Sequence, residues 1–200
     1  MKEIFQRIWE IALPYQDQRD DPGHAEVTLG YARSLLESDH GDEDIVIPAI
    51  ILHDVGYSQL PKERRLKVFD RSLKDEERTV VQMEHEKAGV ELARELLKEA
   101  DYPPEFVEEI LEIISQHDTR KGFISQNEGL VRDSDKLWRF SKRGFEAGEK
   151  RMKPGEDFKW ADIEASIDKA DYFYSDTSKR MARQELAARK AERGKLDPGS

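Results

Sequence analysis

The chain has 200 residues and a mass of 23.2 kDa, which fits one ordinary domain with room for an appended segment. It contains 43 Asp and Glu residues against 33 Lys and Arg residues, and the net charge of −10 disfavours nonspecific binding to nucleic acid or anionic membranes. The absence of cysteine excludes disulfides, thiolate metal sites and a cysteine nucleophile, so any metal chemistry must use histidine, carboxylate and water.

The beginning of the chain and its longest apolar run predict a cytoplasmic protein without membrane association. Charged residues interrupt the apolar positions of residues 1–11, unlike the unbroken apolar region of a signal peptide. The longest apolar stretch, 45–52, has eight residues and includes a proline. A membrane-spanning helix needs about 20 residues.

Apolar residues recur at intervals of three and four along most of the chain, which predicts an all-α protein. Capping signals and breakers predict helices over 3–13, from Pro22 to beyond Leu35, 42–55, 84–100, 104–117 and 127–144. The segment 57–82 is polar and predicts a loop with short helical pieces starting at Pro61 and Asp75. Pro48 argues against the helix over 42–55 but is tolerated if the helix begins shortly before it.

The composition changes after about residue 146, which we predict to be the end of the main domain. Residues 147–155 contain two glycines, one proline and three cations and predict a hinge. Residues 156–193 predict a helical segment packed on or beside the domain, and 194–200 a disordered tail. From Thr177 onward the net charge is +4, so residues 1–176 carry −14. The basic end could bind an acidic partner, but we favour its folding against the acidic domain.

Four of the five histidines and two carboxylates fall at helix positions that should face the core. They are His24, His53, Asp54, His85, His117 and Asp135, whereas His40 lies among polar residues and is predicted to be on the surface. Uncompensated carboxylates are costly to bury, and a bound cation removes that cost. Imidazole and carboxylate suit divalent transition metals, so the pattern predicts a catalytic site for one or two ions of Fe, Mn, Co, Ni or Zn.

This series of residues resembles the HD-domain superfamily of metal-dependent phosphohydrolases over about residues 20–145. The motifs are His24, His53-Asp54 within Ala-Ile-Ile-Leu-His-Asp-Val-Gly, and Asp135 within Arg-Asp-Ser-Asp-Lys-Leu-Trp. His85 and His117 are similar to the additional ligands of the six-ligand branch, which holds two metals. The resemblance implies a helical bundle with the metal site between its helices.

Carried over by position, the resemblance implies one metal bound by His24, His53, Asp54 and Asp135. A second metal would be bound by Asp54, His85 and His117, with Asp54 bridging the two. Asp133 competes for the role of Asp135, but it points about 200° around the helix. Asp133 would then lie behind the ligands or be a surface acid.

The resemblance also implies a phosphohydrolase whose substrate is a nucleotide or another small phosphate ester. Two metals would lower the pKa of a bridging water, so that hydroxide attacks phosphorus. Asp54 would take part in catalysis by bridging the ions, and Asp118 could orient a histidine or assist proton transfer. Arg120, Lys121 and Arg139 are the cations available to neutralise the phosphate, although each could equally be an ordinary surface charge.

Two other functions stay open at this point. HD-domain di-iron oxygenases, which cleave C–C or C–P bonds, share the six ligands and often have a lysine where this chain has Lys121. They also place a tyrosine and a glutamate before the first histidine, where this chain has Tyr15 and Asp17. The other is a metal-stabilised signalling module without turnover. Nucleic acid is disfavoured as a substrate because the chain has no clustered basic and aromatic platform.

Overall fold

A computed structural model of the protein describes residues 1–70, 72–152 and 157–196, with the side chains of 195–196 left aside. The described residues form helices and turns without a strand, which confirms the all-α prediction. The helices are α1 Glu3–Ala12, α2 His24–Asp39, α3 Glu43–Leu52, α4 Lys62–Arg65, α5 Asp75–Glu99, α6 Pro104–Ser115, α7 Gln126–Trp138, α8 Lys142–Lys150, α9 Trp160–Ile167 and α10 Asp176–Leu196. Short 3-10 turns cover Leu13–Tyr15, Val55–Gln59 and Leu66–Phe69. Within these ranges, no helix combines the length and apolar character needed to span a bilayer.

Helix α3 is the centre of the fold. Every residue from Ile45 to Leu52 is buried, and α1, α2, α6 and α7 pack around the helix. Pro48 lies inside it and cannot donate a hydrogen bond to the carbonyl of Asp44, four residues earlier. The hydroxyl of Tyr102 donates to that carbonyl instead, at 2.6 Å. A tertiary hydrogen bond thus explains how a proline is accommodated inside the central helix.

Two predicted helix boundaries are wrong in ways that matter for the site. Helix α5 begins at Asp75, where a short helical piece was predicted, and continues without a break through the predicted start at Glu84. Three acidic residues stabilise its first turn. The predicted helix over 127–144 is two helices, because α7 ends at Trp138 and the Ser141 hydroxyl caps α8 by accepting from the Gly144 N–H at 3.0 Å.

The segment after residue 157 packs on the rest of the chain. Ile163 and Ile167 of α9 and Leu186 of α10 belong to the main hydrophobic core. Ion pairs join basic residues of α10 to acidic residues elsewhere: Arg183 to Asp168, Lys190 to Glu164, and Arg193 to Glu149 and Asp157. The basic end of the chain therefore folds against acidic groups of the same molecule.

The predicted hinge and tail are only partly within the described residues. Residues 147–150 belong to α8, and 153–156 lie outside the described ranges. Helix α10 continues to Leu196, into the predicted disordered tail, and 197–200 lie outside the described ranges.

Candidate metal centre

Six side chains from five helices or helix ends meet between the helices. His24 is the first residue of α2, His53 and Asp54 directly follow α3, and His85 lies in the third turn of α5. His117 follows α6 by two residues, because the helix ends at Ser115 and not at His117 as predicted, and Asp135 lies in α7. They form two groups, His24, His53, Asp54 and Asp135, and Asp54, His85 and His117. Within each group the ligand atoms all lie within 4.8 Å of one another.

Asp54 belongs to both groups because its two carboxylate oxygens face different histidines. Its Oδ2 lies 3.2 Å from His24 Nε2 and 3.4 Å from His53 Nε2. Its Oδ1 lies 3.5 Å from His117 Nε2 and 3.7 Å from His85 Nε2. On the other side of the first group, Asp135 Oδ1 lies 3.2 Å from His24 Nε2. Asp54 is thus the residue shared by two groups of ligand atoms, each of which could hold a metal ion.

The donor atoms also have the spacing of metal ligands. The Nε2 atoms of His24 and His53 are 3.1 Å apart, and those of His85 and His117 are 3.3 Å apart. Ligands around an ion with bonds of about 2.0–2.1 Å lie roughly 3.0–3.4 Å from one another.

Two of the histidines are oriented by backbone carbonyls. His53 Nδ1 lies 2.8 Å from the Ile50 carbonyl, and His117 Nδ1 lies 2.9 Å from the Ile114 carbonyl. A neutral ring bonded in this way carries its proton on Nδ1 and directs the lone pair of Nε2 into the group. The residues present therefore fit divalent metal ions.

The carboxylates of the two groups favour the protonated, positively charged form of three of the four histidines. Burial opposes the charge on His24, but hydrogen bonds to Asp135 and Asp54 outweigh it and raise the pKa of His24 to about 9. Against the same opposing effect of burial, Asp54 and Asp135 raise the pKa of His53 to about 10. Burial also opposes the charge on His117, but Asp54 and Asp118 outweigh it and raise the pKa of His117 to about 9. Burial and the neighbouring His117 lower the pKa of His85. A divalent cation would replace the protons on His24, His53 and His117.

A close approach between two backbones positions His85. A Cβ atom on Gly56 would lie 2.0 Å from the His85 carbonyl and 2.5 Å from the Gly89 nitrogen, so this contact requires glycine. The approach brings Tyr57 against His85 as stacked rings, with centroids 3.8 Å apart and planes 10° apart. Arg19 lies 4.5 Å from the centre of the Tyr57 ring and pairs with both Asp54 and Asp21.

A cavity of about 600 Å³ opens beside the two groups. Its lining includes His24, Asp118 and Asp135, the cations Arg19, Arg78, Lys136, Arg139 and Arg151, and the aromatic residues Tyr57, Phe69, Trp138 and Tyr172. Burial lowers the pKa of Lys136 to about 8, and its ammonium group donates to the Tyr172 carbonyl. Five cations thus line one cavity of a protein whose net charge is −10.

Of the three predicted substrate cations, Arg139 lines this cavity and the other two do not. Arg120 pairs with Glu112 and with the buried carboxylate of Glu128. Lys121 is exposed. Arg132 donates to the carbonyls of Arg120 and Gly122, which holds the loop after His117 in this orientation. The side chains of Arg120 and Lys121 are therefore not placed to contact a substrate in the cavity.

Asp118, the second predicted catalytic carboxylate, lies at the cavity with its Oδ2 3.8 Å from His85 Nε2. Its backbone N–H donates to buried Glu86 at 2.9 Å. Thr119 donates to Glu86 through its backbone N–H, at 3.0 Å, and through its hydroxyl, at 2.7 Å. Glu86 therefore positions the segment that carries Asp118.

Other predicted residues have structural positions. Asp133 is neither a ligand nor a surface acid: it is buried and accepts hydrogen bonds from the backbone N–H groups of Tyr174 and Ser175 at 2.8 and 2.9 Å. Asp17 accepts from the Gly23 and Ala25 N–H groups at the start of α2. Neither Asp17 nor Tyr15 lines the cavity of the metal centre. His40 is exposed at the end of α2.

The helical periodicity of the sequence did not identify several cavity residues. Arg19 and Phe69 lie in irregular segments, where no apolar face can be assigned from spacing. Lys136 follows Asp135 directly, and in the sequence it is only part of the motif around that carboxylate. Arg151 lies at the end of α8, within the segment that had been predicted to be a hinge.

Comparisons with known proteins agree with this geometry. A family model described as "HD domain" matches residues 23–139. Among solved structures, the chain is similar to a "predicted HD superfamily hydrolase" from an uncultured Thermotogales bacterium, with a TM-score of 0.59 and 19% sequence identity. The similarity covers 100% of this chain and 93% of that chain, and it supports the fold. No curated protein matches the chain.

Proposed function

The chain belongs to the HD domain family, and from this premise we propose that it is a metal-dependent phosphohydrolase acting on a nucleotide or small phosphate ester. The observation that carries the proposal is the position of Asp54. This carboxylate joins two groups of potential metal ligands beside a cavity lined by five cations. Neighbouring ions and cations of this kind suit a substrate with a phosphoryl group.

Each part of the site has a role in this reaction. His24, His53, Asp54 and Asp135 would hold one divalent ion, and Asp54, His85 and His117 a second. Such ions lower the pKa of a coordinated water and neutralise phosphoryl oxygens. Arg139 and Lys136 would donate charge-assisted hydrogen bonds to the phosphate. Asp118, beside His85 at the cavity, is the carboxylate available to accept a proton.

The rest of the cavity favours a small molecule that includes a flat or apolar part. Its volume of about 600 Å³ lies within the range usual for small-molecule sites. Phe69, Trp138 and Tyr172 offer ring surfaces on which a nucleobase could stack. The negative net charge of the protein disfavours a long nucleic acid as substrate.

Phosphate release measured with and without oxygen tests the proposal. Protein purified without chelators and supplied with Mn²⁺ should release phosphate from members of a nucleotide and phosphate-ester panel under argon as well as under air. Hydrolysis involves no redox change, so oxygen should not matter. Strict dependence on iron and oxygen would instead support an oxygenase that cleaves C–C or C–P bonds. Metal binding without any turnover would support a signalling module.

A pair of variants tests the role of the cavity cations in the same assay. Arg139→Gln removes a cation from the cavity lining, whereas Lys142→Gln removes an exposed cation three residues later. Loss of a charge-assisted contact to phosphate should lower kcat/KM by at least about tenfold. The Lys142→Gln control should keep the activity of the wild type. Equal activity of both variants would exclude Arg139 as a phosphate contact.

A further inference from the structure

Arg151 and Phe69 form a wall of the cavity next to the metal centre. The Arg151 guanidinium lies over the Phe69 ring, 3.8 Å from its centre. Arg19 connects this wall to the centre, because it pairs with Asp54 and also lies 6.0 Å from the centre of the same ring. Any molecule that fills the cavity beside Asp54 can therefore extend toward Arg151.

One nitrogen of the Arg151 guanidinium lacks a hydrogen-bond acceptor. Its Nη1 atom is buried and has no hydrogen-bond partner among the described residues. Burial lowers the pKa of Arg151, although Asp21 and Asp20 partly oppose this effect. A buried donor without a partner is unfavourable, and a planar guanidinium is well suited to bind the oxygens of a phosphate or carboxylate.

The other cations of the cavity differ from Arg151 in this respect. Arg19 pairs with two carboxylates, and Arg78 pairs with Asp75 at 3.3 Å. Lys136 donates to the Tyr172 carbonyl, and the hydroxyl of Tyr172 is also a partner of Arg139. Arg78 also has a buried Nε atom without a partner, but among the cavity cations of the described ranges Arg151 is the one with a buried, unpaired Nη atom.

We propose that Arg151 recognises a second anionic group of the substrate, separate from the phosphoryl group that is hydrolysed. This inference rests on the proposed function and narrows its substrate class to phosphate esters that carry a further phosphate or a carboxylate. Phe69 orients the guanidinium by lying flat against it. The aromatic rings of the cavity would contact the part of the substrate between its two anionic groups.

Two matched pairs of compounds test the proposal and separate the two kinds of anion. Adenosine 5′-monophosphate is compared with adenosine 3′,5′-bisphosphate, and glycerol 3-phosphate with 3-phosphoglycerate. The members of each pair differ by one phosphate or by one carboxylate. Metal-loaded wild-type protein should prefer the more anionic member of at least one pair by about tenfold or more in kcat/KM, as expected for a charge-assisted contact. The pair that shows the preference identifies the anion.

Variants assign the preference to Arg151. Arg151→Gln should lower kcat/KM for the more anionic member by about tenfold or more relative to the less anionic member, and so abolish the preference. Arg151→Lys keeps the charge but not the planar fork and should retain part of the preference. Arg143→Gln is the matched control, since Arg143 lies on the same helix but pairs with Glu26 outside this cavity. Circular dichroism checks that each variant is folded.

The possible failures are distinguishable. If none of the four compounds releases phosphate, the proposed hydrolysis of these esters fails, and dissociation constants from calorimetry then test Arg151 with the same compounds and variants. If the wild type shows no preference in either pair, by kinetics or by binding, the proposal is wrong. It is also wrong if Arg151→Gln weakens both members of a pair equally, because Arg151 would then only support Phe69.

Discussion

Asp54 belongs to both ligand groups, whereas each histidine belongs to one. The metal content of an Asp54 variant should therefore differ from that of a variant lacking a single histidine. Asp54→Asn removes the charge that faces all four histidines, so protein purified without chelators should lose both metals. His85→Ala should lose the second metal and keep the first. Elemental analysis by mass spectrometry gives the metal content per chain.

Asp118→Asn is the control for this measurement, because Asp118 lies at the cavity but belongs to neither ligand group. Its metal content should equal that of the wild type. If Asp54→Asn retained two ions, Asp54 would not be a bridging ligand. If the wild type were fully active with one ion, His85 and His117 would be better explained as substrate or proton-transfer residues.

The histidine pKa values predict how the stability of the metal-free protein depends on pH. The pKa values of His24, His53 and His117 are raised from 6.5 to about 9, 10 and 9. A raised pKa stabilises the folded state fully below the unfolded value, and this contribution disappears as the pH rises through the folded value. The Tm of chelator-treated protein should therefore fall between about pH 7 and pH 10.

The metal-loaded protein provides the contrast. Because bound metal requires neutral imidazoles, metal affinity should rise over the same pH range, and metal binding should release protons. Calorimetry in buffers with different ionisation enthalpies counts these protons. A flat Tm profile in the chelator-treated protein would show that the histidines are not held protonated by Asp54 and Asp135.

At the scale of residues, the sequence could predict a metal-ligand residue where a histidine or carboxylate also occupied the inward face of a predicted helix. His24, His85 and Asp135 fall on inward faces of helices, and each belongs to one of the two ligand groups that share Asp54. Asp133 could not be assigned, because its partners are backbone N–H groups of Tyr174 and Ser175, about forty residues away. No local sequence pattern predicts a contact between residues this far apart in the chain.

The break between α7 and α8 depends on a glycine at position 144. Replacing it even with alanine should therefore destabilise the protein. A Cβ atom at this position would lie 1.9 Å from the Trp138 carbonyl. Gly144→Ala should therefore destabilise the protein by about 1–3 kcal/mol in urea unfolding, as overpacking does. It should also lower activity, because Trp138 and Arg139 line the cavity.

Gly148→Ala, in the same helix, is the matched control. Its Cβ atom would meet Phe158 at an ordinary 3.4 Å, and alanine favours the helix, so stability should be equal or higher. Equal destabilisation by the two variants would mean that the contact at Trp138 is not what makes Gly144 necessary.

At the scale of elements, helix periodicity located the helices better than their ends. The sequence predicts one helix over 127–144. Ser141 donates to the Trp138 carbonyl and accepts from the Gly144 N–H, and these hydrogen bonds end one helix and begin another. The first turns of α5 are mostly exposed and polar, so no apolar face joined the short helical piece predicted from Asp75 to the helix predicted from Glu84. Capping and solvent-exposed turns depend on local hydrogen bonds that periodicity does not detect.

At the scale of the whole molecule, opposite charges accompany the packing of the C-terminal helix but do not explain it. The ion pairs of Arg183 and Lys190 involve largely exposed side chains, and such pairs usually contribute about 0–1 kcal/mol each. Ala182 and Leu186 of the same helix are buried in the core. Apolar burial and the hydrogen bonds of Asp133 are therefore the stronger connections.

Asp133 predicts a link between the C-terminal segment and the site. Its carboxylate holds the backbone of Tyr174 and Ser175, and Tyr172, just before them, lines the cavity. Asp133→Ala leaves two backbone N–H groups without an acceptor and should lower the free energy of unfolding by about 1–3 kcal/mol or more. It should also raise KM, because Tyr172 loses its support.

Asp168→Ala is the control. It breaks the exposed pair with Arg183 and should change the free energy of unfolding by less than about 1 kcal/mol, with KM unchanged. Denaturant unfolding and steady-state kinetics on both variants compare the two connections. Similar stability and KM in the two variants would mean that the segment carrying Tyr172 is held in place by packing alone.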